Sequence, residues 1–132
     1  MSGDNQDLQL PLKAIFKGSL VAIVVIIIIT FALALLTEFG WTITVFMPGN
    51  MYLLIVYTGI IIGAISAGKN GLENGWLTGI AVGALTSLIV LLMIILISKS
   101  RVNVGIYTIK SLINSFIGAF GGIIGVNIGS RK

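Results

Sequence analysis

The sequence predicts an all-α integral membrane protein with four transmembrane helices, the second to fourth of them carrying glycine and small-residue packing stripes. Three observations carry that prediction. The 132 residues are 57% hydrophobic and only 9% charged, whereas soluble domains carry about 25% charged residues. So few charges could not solvate the surface of a water-soluble fold. The apolar residues also fall in long blocks, and a helix needs about 20 of them to cross roughly 30 Å of hydrocarbon. Within the later blocks, small residues recur at helical spacing.

A polar tail over residues 1–10, containing "MSGDNQD", precedes a single domain over residues 11–132. The first span is expected over residues 19–37, "SLVAIVVIIIITFALALLT", within a longer helix that Pro11 opens. The "ALA" at residues 32–34 could mimic a signal-peptide cleavage site, but the apolar core exceeds the usual 7 to 15 residues or so. The segment therefore reads as an anchor. The second and third spans are expected over 51–67 and 76–97, and the fourth over 110–128. The fourth is the least apolar, since it holds Lys110, Ser111, Asn114 and Ser115. A lysine near a helix end can snorkel to the interface, so Lys110 does not forbid insertion.

Lys and Arg in short loops set the direction. With the N-terminus inside, the cytoplasm receives Lys13, Lys17, Lys69, Arg131 and Lys132, and the outer side receives Lys99, Arg101 and Lys110. That balance predicts both termini in the cytoplasm. The net charge of +4 does not point to nucleic acid, because the basic residues stand singly at the edges of apolar runs.

Residues 63–70, "GAISAGKN", come one residue short of a nucleotide-binding P-loop. That loop requires a strand before it, a helix after it, and a Ser or Thr hydroxyl following the lysine for Mg²⁺. Here Asn70 follows Lys69, Gly71 and Gly75 interrupt the helix that should follow, and the preceding segment is a membrane span. No nucleotide is expected. Packing explains the glycines better, because helices in lipid associate through small residues that let their backbones approach. Gly59, Gly63 and Ala67 recur every fourth residue on the second helix. Gly75, Gly79 and Gly83 do so on the third, joined by Thr78 and Thr86. "GAISAGKNGLENGW" thus reads as the hinge of an antiparallel hairpin, with Lys69, Asn70, Glu73 and Asn74 as its wet tip.

On the fourth helix Ser111, Asn114, Ser115, Gly118, Gly122, Gly125 and Gly129 share one face at 100° per residue, with Gly121 at its border. Leu112, Phe116, Phe120 and Ile123 occupy the opposite face. The first helix has no glycine between Gly18 and Gly40. Helices two to four are therefore expected to form the tight core, with helix one outside it.

Cysteine and histidine are absent, and the only carboxylates are Asp4, Asp7, Glu38 and Glu73. Disulfides, Cys/His metal sites, thiol nucleophiles and imidazole bases are excluded. No cofactor or metal is expected, and no catalytic residue emerges. The spans offer only hydroxyls and amides, none with an acid–base partner at membrane depth. Two readings remain. The favoured one is a non-enzymatic structural or accessory subunit that contacts the lipid bilayer and self-associates or packs against a larger membrane complex. The alternative is a small channel or transporter lined by Thr86, Ser87, Asn114 and Ser115, since polar groups inside a membrane are functional candidates.

The stretches "GAISAGKNGLENGWLTGIAVGALTSLIV" and "GAFGGIIGVNIGS" resemble the YrzE-like family of small four-helix bacterial membrane proteins. That family carries a small-residue turn ending in lysine, then Gly-Trp opening the third helix. It closes with a glycine-rich fourth helix finishing in Gly-Val-Asn. Ala67 stands where a glycine is common. The resemblance covers residues 15–130 and implies the four-helix topology and a bacterial cytoplasmic membrane. It implies no activity.

Overall fold

The computed structural model describes residues 11–40, 50–70, 74–99 and 101–131. The tail expected over 1–10, most of the first connection, Glu73 of the turn and Lys132 lie outside the described residues. Four helices account for nearly everything described: α1 (Leu12–Glu38), α2 (Met51–Asn70), α3 (Gly75–Ser98) and α4 (Val104–Gly129). Each is long and apolar enough to cross a membrane. The 20 residues of α2 give about 30 Å at 1.5 Å per residue, a bare crossing. The 27 residues of α1 give about 40 Å and leave room for tilt.

The helix limits follow local chemistry. Pro11 caps α1, lending its carbonyl to the Ile15 N–H at 3.0 Å, where its missing N–H costs nothing. Gly40, at φ +78°, closes the other end in the left-handed region that glycine alone enters freely. Lys99 takes the same role after α3 at φ 47°, its N–H donating to the Ile95 carbonyl. Asn74 accepts from both the N–H and the hydroxyl of Thr78 at the start of α3. The α4 helix begins at Val104, six residues before the expected span, so Lys110 lies within the helix rather than at its start.

The helices form an up-and-down bundle in which α3 meets α4, α4 meets α2 and α2 meets α1 over long contacts, while α1 does not touch α4. Residue pairings give the directions. Gly18 lies against Gly63 and Ala67, and Gly59 against Ile26, so α1 and α2 are antiparallel. Gly75 faces Gly122, Gly79 faces Gly118 and Gly83 faces Asn114, so α3 and α4 are antiparallel as well. Gly121 faces Ala64 and Gly125 faces Ile65, which sets α2 and α4 parallel.

One expectation is corrected. Helix one is not outside the core: Ala14, Ile15, Gly18, Ser19 and Ala22 are buried. A β-carbon on Gly18 would lie 2.6 Å from the Ala67 Cβ and 2.7 Å from the Gly63 carbonyl oxygen. One glycine at the crossing point suffices where a stripe was sought. The stripes of α2 and α3 do not face each other across the hairpin. Gly59 and Gly63 meet α1, whereas Gly75, Gly79 and Gly83 meet α4. Between α2 and α3 lie side chains rather than bare backbone: Ala64 and Ala67 of α2 and Val82 of α3, with Ile15 of α1, form the central cluster. Those side chains hold the diagonal pair apart while glycines bring the flanking pairs together.

Burial is confined to one end of the bundle. It spans residues 14–22 of α1, 59–68 of α2, 75–86 of α3 and 114–125 of α4. All of these lie toward the end that holds the chain termini and the α2–α3 turn. The helices converge there and separate toward the other end.

Candidate functional site

The separation has a cause that can be read along single helix faces. On α4 the inward face runs Tyr107, Lys110, Ser111, Asn114, Gly118, Gly122 and Gly125, a steady loss of side-chain volume from one end to the other. On α3 the order reverses with the chain, from Gly75, Gly79 and Gly83 to Ser87, Leu91 and Ile94. On α2 the cavity is lined by Tyr52, Leu53 and Val56, while Gly59 and Gly63 farther along turn to α1. Small residues admit close backbone approach; large ones wedge the helices apart. The gradients of α3 and α4 coincide, and a cavity of about 380 Å³ opens between α2, α3 and α4 in the divergent half.

At the narrow end the packing is backbone against backbone. A β-carbon on Gly68 would sit 2.5 Å from the Gly122 carbonyl oxygen, and one on Gly125 equally close to that of Ile65. On Gly75, Gly79, Gly83, Gly118 or Gly122 it would collide with the facing helix's carbonyl. Gly129 is less confined, 3.2 Å from the Lys69 carbonyl oxygen. Gly18, Gly68 and Gly121 share the close approach but belong to no sequence stripe: the first stands alone, the second reads as turn, and the third lies at the border of its arc.

The floor of the cavity is a polar bridge. Asn114 donates from Nδ2 to Ser87 Oγ at 2.7 Å, and Ser87 Oγ donates to the Gly83 carbonyl at 2.8 Å. These two line the cavity, but Thr86 and Ser115 do not. At 100° per residue, Thr86 and Ser115 are turned a quarter-circle from Ser87 and Asn114, so the four do not make one lining. Ser115 donates back to the Ser111 carbonyl at 2.9 Å. Thr86 is fully buried, and its hydroxyl has no partner.

The mouth is aromatic and cationic. Lys110 Nζ donates to Tyr52 Oη at 2.5 Å and lies 5.1 Å from the centroid of the Tyr52 ring and 5.6 Å from that of Tyr107. Both distances are within the range of cation–π attraction. Aliphatic side chains, including Val56, Leu88, Leu91 and Ile94, make up much of the remaining lining. Sequence reasoning passed over this cluster because Tyr52 and Lys110 are 58 residues apart. The available signal was the spacing of Tyr107, Lys110, Ser111 and Asn114, which places them on one face.

Among the described residues no group of three or more His, Cys, Asp or Glu side chains comes together. Most hydroxyls at membrane depth bond to the carbonyl four residues earlier in their own helix, as Ser19, Thr30 and Thr58 do. No curated protein and no solved structure matches the chain. A family match does extend over residues 11–125, from the cap of α1 through most of α4, and it carries the description "Protein of unknown function (DUF3792)". The chain, a small multi-pass membrane protein with four apolar helices, belongs to that family.

Proposed function

We propose that this protein is a non-enzymatic accessory or structural subunit of a bacterial cytoplasmic membrane, with both termini in the cytoplasm. It acts by packing against copies of itself or against a larger membrane complex. The observation that carries the reading is the outer face of α1. Leu20, Val24, Ile27, Ile28, Phe31 and Leu35 are all exposed, and their spacing puts them in one stripe. That stripe continues into the half of α1 where burial within the bundle has ended, and it has the three-and-four rhythm of a helix–helix seam.

The glycine contacts of α2, α3 and α4 support the same reading by giving the stripe a rigid platform. The resemblance to YrzE-like proteins favours the bacterial membrane, and the cluster of Lys13, Lys17, Lys69 and Arg131 at the terminal end favours its cytoplasmic placement. Copurification in mild detergent followed by mass spectrometry tests the proposal. A stable homo-oligomer or a defined membrane complex is expected, and replacing Ile28 and Phe31 with serine should release it. A chain that always travels alone would refute it.

A second reading, a small pore, draws on Ser87 and Asn114 at the cavity floor. It predicts solute or ion flux in liposomes that Asn114→Leu abolishes. The aliphatic cavity walls disfavour it.

A further inference from the structure

We propose that the cavity between α2, α3 and α4 binds one anionic phospholipid of the surrounding bilayer, its phosphate at Lys110 and an acyl chain against the aliphatic walls. The volume, about 380 Å³, is within the range of roughly 300–1,000 Å³ typical of small-molecule sites. Aliphatic side chains make up much of its lining, which suits methylenes and offers little to a polar solute.

Charge selects the headgroup. An ammonium has three donors, and Lys110 gives one to Tyr52. The described residues contain a single carboxylate, Glu38, on a helix that makes no contact with α4. Lys99 and Arg101 are exposed on the connection between α3 and α4, and neither lines the cavity. Among the described residues, the cavity thus carries the cation Lys110 and no acid on the helices that line it.

Depth agrees. Lys110 lies six residues into α4, about 9 Å along the helix axis from its start, and headgroup layers are roughly 5–8 Å thick. A lysine side chain extended toward the interface covers the difference. A second copy of this chain would serve poorly as the occupant, because none of its spans brings a carboxylate to that depth. It would leave the cation covered and unpaired, which membranes penalise.

Native mass spectrometry of the full chain in mild detergent, titrated with phosphatidylglycerol or with phosphatidylcholine of the same acyl chains, tests the site. The wild type should saturate at one phosphatidylglycerol per chain. One lysine at a membrane surface contributes enough for about a fivefold preference over phosphatidylcholine. Lys110→Gln should abolish the preference and Lys110→Arg should keep it. Ala84→Phe, which fills the cavity from an exposed position, should weaken retention of both lipids. Lys17→Gln, exposed at the opposite end, should change nothing. Equal retention of the two lipids by the wild type would overturn the proposal. So would a preference that survives Lys110→Gln, retention unaffected by Ala84→Phe, or a dimer that excludes phosphatidylglycerol from the cavity.

Discussion

Gly79 and Gly118 present bare backbone to each other across the α3–α4 contact, and a β-carbon added to either would run into the carbonyl oxygen of the other. Relief requires moving one helix as a body, since the obstructing atoms are main chain. Gly79→Ala should therefore destabilise the bundle by about 1–3 kcal/mol, the usual cost of overpacking, and Gly79→Leu by more. Gly105→Ala is the control: the nearest atom to its β-carbon is Asn103 Oδ1 at 3.5 Å, so alanine should be neutral or slightly favourable in the helix. Resistance to unfolding in an SDS titration reads both. Equal behaviour of the two variants would remove the packing explanation for the glycines.

The corrected place of α1 makes a second prediction. Gly18→Cys paired with Ala67→Cys should form a disulfide in mild oxidant once α1 and α2 part slightly, since their β-carbons would start 2.6 Å apart and bridging needs about 3.5–4.5 Å. Gly63→Cys paired with Gly79→Cys should crosslink far less, because Gly63 faces Gly18 and Ala22 while Gly79 faces Gly118. Gel mobility with and without reductant separates these outcomes. Preferential crosslinking of 63 with 79 would restore the face-to-face hairpin.

The contrast shows what a single chain's periodicity can reveal. The existence of four helices was legible because a bilayer demands length and apolarity, and α1 through α4 each supply both. That Gly75, Gly79 and Gly83 form a packing face was legible from spacing; which helix they meet was not. A stripe defines a direction around its own axis and says nothing of the neighbour in that direction. Gly18 escaped notice for a related reason: at a crossing, one missing side chain admits the partner. The cavity is legible only in retrospect, once the volume gradients of α3 and α4 are set at the same level. Lys110 could be read as a snorkelling lysine from its position, but its tyrosine partner required the fold.

Thr86 supplies a prediction of opposite sign. Its side chain is fully buried and its hydroxyl unpartnered, and an unsatisfied buried polar group costs about 1–3 kcal/mol. Valine keeps the shape and removes the hydroxyl. Thr86→Val should thus leave the bundle as stable as the wild type or raise its stability by about 1 kcal/mol, whereas Thr86→Ala should lower it by opening a void. Thermal unfolding in detergent, monitored by circular dichroism, distinguishes the two. A marked loss of stability in Thr86→Val would mean that the hydroxyl has a partner in the membrane.

The bridge between Asn114 and Ser87 is the interhelical side-chain bond that marks where close packing gives way to the cavity. Asn114 is buried, so water cannot replace the lost partner when one side is truncated. Interhelical bonds of this kind contribute about 0.6 kcal/mol on average and up to about 1.7 in membrane proteins. A double-mutant cycle of Asn114→Ala and Ser87→Ala should give a coupling in that range. The cycle isolates the pair because Gly83 accepts from Ser87 whichever residue occupies position 114. Asn114→Leu should also weaken the bundle modestly without changing its helical content, since leucine can extend into the apolar space above. The same variant bears on function. An accessory subunit should retain its partners with Asn114→Leu, and a pore should lose its flux. A coupling near zero would show that the two side chains are merely neighbours and that the glycine contacts alone fix where the helices part.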